Sequence, residues 1–129
     1  MRKTMADWSP EALATPDTSL LEEIFDLEDD GDREVLKELY EQLLEDGPER
    51  MANMFEAMEG GELEEVDRIA HRLKSSFGNL GFSTASELCG AIMAAAREGD
   101  APQTRELVES FGAGGEALIQ GIAKFAQRL

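Results

Sequence analysis

Apolar positions recur along most of this chain at intervals of three and four, the spacing of one face of an α-helix. Val35, Leu36, Leu39, Leu43 and Leu44 form one such set, and Met51, Met54, Phe55 and Met58 continue it beyond Gly47-Pro48. Proline is tolerated in a first helical turn, so a kink followed by continuation through Met58 is expected. A methionine stripe of this kind serves either as core packing, its commoner use, or as an adaptable docking groove. A short helix opens at Thr18 behind Asp17 and ends at the acidic run 29–32, where Asp32 is placed to cap the next helix. Gly60-Gly61 makes a turn, and a helix follows from about Glu62 to Leu80 with Gly81 as its stop. Thr84-Ala85-Ser86-Glu87 reads as a capping box opening a helix through about Glu98. Asp100 caps a last helix carrying Leu107, Val108 and Phe111, then Leu118, Ile119, Ile122 and Phe125. Gly112, Gly114 and Gly115 weaken its middle, and the pattern leaves open whether it breaks there.

No stretch alternates with period two, so strands are not expected. The elements predict an all-α fold over residues 17–129: an up-down antiparallel four-helix bundle with a short extra N-terminal helix. Residues 1–16 contain Pro10 and Pro16 without periodicity and read as a flexible N-terminal tail, with Trp8 a candidate to dock.

Composition narrows the partners. The 129 residues suit one domain, which at this size buries roughly two-thirds of its unfolded surface without staples. Acidic residues number 28 against 12 basic, a net charge of −16. That field argues against nucleic acid and against an anionic membrane surface, both of which are bound through lysine and arginine. The lone Cys89 cannot form an internal disulfide, no apolar run approaches a membrane span, and the basic N-terminus lacks the apolar stretch of a secretion signal. The cytoplasm is the default compartment, and a monomer the expected state.

The chain has one histidine, His71. On a wheel of about 100° per residue with His71 at zero, Val66, Ile69, Leu73, Phe77 and Leu80 fall between about 160° and 240°. His71 lies opposite that buried stripe, with Lys74, Ser75 and Gly78 following on its own side. From geometry alone an idle surface histidine and a functional one stand level. Two details favour function. Gly78 sits mid-helix on the histidine's face, which suggests close approach of something large, although a fraying helix end is the alternative. Arg68, Arg72 and Lys74 gather three of the 12 basic residues beside the imidazole, a setting that favours an anionic group on a ring nitrogen. A neutral imidazole is a competent nucleophile near neutral pH.

The run Ala70-His71-Arg72-Leu73-Lys74-Ser75-Ser76-Phe77-Gly78-Asn79-Leu80-Gly81 resembles the signature of histidine phosphotransfer (HPt) domains of two-component phosphorelays. Gly31-Asp32, Glu87-Leu88-Cys89 and Gly99-Asp100 are similar to further landmarks of that family, and the likeness spans roughly residues 18–128. The resemblance implies a phosphocarrier rather than an enzyme. His71 would accept a phosphoryl group, at Nε2, from a sensor (hybrid) histidine kinase or a receiver-domain aspartate and pass it to another response-regulator receiver. Lys74 would neutralise the phosphoryl oxygens. Ser75 and Gly78 would admit the receiver's loops, with Arg68 and Arg72 as further docking residues. No cofactor or metal of its own is implied; Mg²⁺ would belong to the receiver.

The sequence departs from the pattern at three positions. Met93 stands where several members carry a glutamine that orients the histidine, Ser75 where glycine is frequent, and Phe77 where small residues are usual. Three rivals are weaker. A general base would need an orienting carboxylate and a pocket, and Ser75 on a convex face supplies neither. Asp67 with His71 would hold a cation only weakly. An adaptor of HPt fold that binds a receiver or kinase without accepting phosphate shares every residue of the signature. The chain lacks a nucleotide-binding glycine loop and a receiver domain, so it reads as a free-standing carrier or as a piece of a larger kinase.

Overall fold

The computed structural model describes residues 8–129 and contains six helices and no strand among them. They are α1 (Pro10–Leu13), α2 (Thr18–Ile24), α3 (Asp30–Glu59), α4 (Leu63–Asn79), α5 (Ser83–Arg97) and α6 (Ala101–Gln127). The last four form the bundle. Each packs on two others, α3 on α4 and α6, and α5 on α4 and α6, with three-residue connections that make sequence neighbours antiparallel. None of the described helices is long and apolar enough to cross a membrane.

The helices begin where short polar side chains take up free backbone N–H groups. Asp17 accepts from Ser19 N at 3.1 Å and Asp100 from Gln103 N at 3.0 Å, as the sequence predicts. At α3 the expectation is off by three residues. Asp29 is the cap, accepting from Asp32 N at 2.9 Å, while the Asp32 carboxylate turns back to accept from Asp26 N at 2.8 Å. The capping box at Thr84 does not form either: α5 starts two residues earlier than that box would place it, at Ser83 behind Phe82 and without a side-chain cap. Gly81 ends the turn after α4 with φ 86°, a left-handed conformation natural to glycine. A Cβ there would also sit 3.1 Å from both Asp17 O and Leu21 Cγ, so the same glycine seats α2 against the turn.

The core is the inward face of all four long helices. Met51, Met54 and Met58 are buried within it, which settles the methionine stripe as packing. Tyr40 is fully buried, its hydroxyl donating to Leu80 O at 2.5 Å and its ring meeting Phe82 and Phe125 edge-on. Phe77 is buried and stacks on Phe111. Val35 and Leu39 do not join the core as the periodicity suggests. They stay 50% and 39% exposed, because the buried line of α3 runs through Leu36, Tyr40 and Leu43 instead. The helix passes through Gly47-Pro48 uninterrupted, and α6 likewise spans its three central glycines.

The flexible tail expected over residues 1–16 is corrected for its second half; residues 1–7 lie outside the described residues. Ser9 caps α1, and Trp8 and Leu13 are buried as α1 packs on α6 and α5. Its seat is a notch in α6. A Cβ on Gly114 would stand 2.7 Å from Leu13 Cδ1, and one on Gly121 only 2.5 Å from Ala14 O. Burial of two large side chains outweighs the weak local helix signal, a tertiary effect that periodicity does not register.

Candidate functional site

The site is built on α4, the helix with the clearest division between its faces. Val66, Ile69, Ala70, Leu73 and Phe77 are buried, and His71, Arg72, Lys74 and Ser75 are exposed. The imidazole of His71 therefore projects from the convex side of a rigid helix. Among the described residues no side chain hydrogen-bonds its ring; the nearby Ser75 hydroxyl donates to the His71 backbone carbonyl instead, at 3.4 Å.

One flank of the histidine is α5. Arg97 Nε donates to both carboxylate oxygens of Asp67 at 3.1 Å. The Lys74 stem lies against Gly90, and Ser86 Oγ donates to Lys74 O at 3.1 Å beside Gly78. These pairs follow one antiparallel register, each step forward on α4 matched by a step back on α5. The same register brings the buried Met93 level with His71. The position singled out from the family pattern is thus across from the histidine, and it offers a thioether in place of an amide.

The other flank is α3. A polar groove of about 1040 Å³ separates the two helices, with Arg50, Arg68 and Arg72 on its walls among a larger number of carboxylates. Arg68 is tied one turn back along α4 through two hydrogen bonds to Glu65, Nε–Oε2 at 3.0 Å and NH2–Oε1. That guanidinium holds the Glu65 carboxyl below the usual carboxylate range, and the carboxylate in turn raises Arg68.

The structure thus brings Lys74, Ser75 and Gly78 to the face of His71 but does not gather the three cations around the ring. Arg68 turns to Glu65, Arg72 lines the α3 groove, and Lys74 lies on α5. Gly78 has a reason of its own as well. A Cβ there would meet Ser86 Oγ at 3.0 Å, so the glycine lets α5 pack close. Sequence reasoning read Ser86 only as part of a capping box and passed over Gly90. Glycine in mid-helix at position 90 was the available signal, readable only once α5 was known to face Lys74.

Comparison with curated proteins and with solved structures returns no match. The family model of the Hpt domain, in contrast, matches residues 38–128. The matched stretch runs from within α3 to the end of α6, so it takes in the bundle and the whole histidine face. A match over most of the chain, coinciding with the one region where an imidazole stands outward from a helical bundle, decides the matter: this chain belongs to the Hpt domain family, the phosphotransfer modules of two-component signalling.

Proposed function

We propose that the chain is a phosphocarrier that receives and donates a phosphoryl group at His71. The observation that carries this reading is the histidine itself: the chain's single imidazole, exposed on α4, free of hydrogen bonds from described residues, inside the stretch matched by the family. A lone pair on Nε2 attacks the phosphorus of an aspartyl phosphate in line. The N–P bond forms as the P–O bond to the carboxyl group breaks, and the carboxylate leaves with the electron pair. The reverse step delivers the group to another receiver's aspartate; phosphohistidine of a kinase is the alternative donor. Such transfers require mainly positioning and charge neutralisation. The bundle supplies positioning, and the receiver supplies Mg²⁺ and most of the catalytic groups.

Lys74 is the cation suited to the phosphoryl oxygens, since it lies three residues from His71 and has no ion pair among the described residues. Ser75 is exposed on the face of His71 and Arg72 on its α3 flank, and both would meet the receiver; Gly78 keeps the Ser75 edge low. Arg68 would have to exchange Glu65 for the partner. Exposed pairs of this kind are weak because solvent screens them, so the exchange is easily made.

The test is transfer of label from a phosphorylated receiver to wild-type chain and to His71→Gln. Acid-labile, base-stable label on wild type alone supports the proposal. A complex with the receiver but no label on either chain assigns the protein to the adaptor role instead.

A further inference from the structure

Lys74 is exposed, yet its stem does not extend freely into solvent. A methyl group placed on Gly90 would sit 3.7 Å from Lys74 Cε, 3.8 Å from Nζ and 4.0 Å from Cδ. Three successive atoms at contact distance from one point mean that the side chain lies flat across α5. The backbone beneath it is held from the same helix, by Ser86 Oγ donating to Lys74 O at 3.1 Å.

Gly90 has no backbone reason to be glycine. It occupies the middle of α5, where glycine is among the poorest helix formers, and its φ is not positive. What it provides is a shelf. A longer side chain at 90 would fill the space that the lysine stem now occupies.

Resting on the reading of Lys74 given above, we propose that Gly90 is a positioning residue for Lys74: by carrying no side chain it lets the stem lie along α5, which holds the ammonium on the α5 flank of the histidine. A lysine held in this way gives up less rotamer freedom when it engages a phosphoryl group than one that samples solvent. The distances set a size limit. An alanine methyl makes ordinary contact with the stem and is accommodated, whereas a leucine displaces it.

The experiment is a size series at position 90 in two backgrounds, with single-turnover transfer from a phosphorylated receiver as the readout. Gly90→Ala is expected to transfer within about twofold of wild type, and Gly90→Leu about fivefold more slowly. In a Lys74→Ala chain, Gly90→Leu is expected to add no further loss, because the residue it acts through is gone. A second readout does not depend on transfer or on the leucine variant folding: a nuclear Overhauser contact between the Lys74 ε-methylene and the Gly90 α-protons in the folded wild-type chain. Equal slowing by Gly90→Leu in both backgrounds, or absence of that contact, overturns the proposal. Failure of the parent reading looks different, since wild type itself then takes up no label.

Discussion

Gly121 and Gly112 lie on the same helix and should respond to alanine in opposite ways. A Cβ on Gly112 meets nothing within 4 Å, so Gly112→Ala only removes a helix-weakening glycine and gains about 1 kcal/mol. On Gly121 the Cβ would lie 2.5 Å from Ala14 O and 3.0 Å from Ala14 Cβ, so α1 must move. Complete release of α1 would expose Trp8 and Leu13, now 4% and 0% exposed, at about 1.5–3 kcal/mol each. Local adjustment to overpacking costs about 1–3 kcal/mol and is the cheaper response. After the helix gain of about 1 kcal/mol, Gly121→Ala should be destabilised by about 0–2 kcal/mol and lie about 1–3 kcal/mol below Gly112→Ala. Urea unfolding followed by circular dichroism measures the difference. Fluorescence of Trp8, the single tryptophan, reports the seat of α1 directly, with a red shift expected in Gly121→Ala only. If Gly121→Ala matches Gly112→Ala in stability and keeps the buried emission of wild type, α1 does not occupy the notch.

Two further outcomes follow from the site and the core. Lys74→Ala should leave the fold unchanged and slow phosphotransfer about tenfold, the loss of one charge-assisted contact to the phosphoryl group; unaltered single-turnover rates would remove Lys74 from the mechanism. Burial pushes the Cys89 thiol above its ordinary range, with nearby Lys74 opposing the shift more weakly, and burial also raises Tyr40. Both groups are neutral in the fold and ionise more readily when unfolded, so their stabilising effect is complete below the unfolded values and declines as pH rises past them. Denaturation midpoints should therefore fall above about pH 8.5, and Cys89→Ala should flatten the first part of that fall. A thiol reagent that labels Cys89 in the native state as fast as in the unfolded one would contradict this.

The histidine face was legible because it depends on one periodicity. The apolar set from Val66 to Phe77 fixes which side of α4 is buried, and His71 is then outward whatever α4 packs against. Caps were legible where one acidic residue stood alone, at Asp17 and Asp100, and not within the run 26–32, where four aspartates compete for the same backbone. Val35 and Leu39 were misplaced because the inner line of α3 is set by Tyr40, whose hydroxyl reaches Leu80 from another element. The seat of α1 was hidden for a related reason. Gly114 and Gly121 read as weak points in a helix, and only the segment that fits against them shows that they are a notch. At the site, Arg68, Arg72 and Lys74 are close in sequence but are drawn apart by Glu65, the α3 groove and Gly90. Side-chain direction depends on such neighbours, which spacing along one helix does not contain.

In the proposed role the chain's one imidazole carries the phosphoryl group. Locating the modification after incubation with a phosphorylated receiver, by ³¹P resonance at alkaline pH and mass spectrometry of peptides prepared without acid, decides whether His71 has that role. A single N-phosphoryl resonance and one modified peptide, with the group on His71, are expected. An unmodified chain recovered from a stable receiver complex, or phosphate on any other residue, would contradict that role.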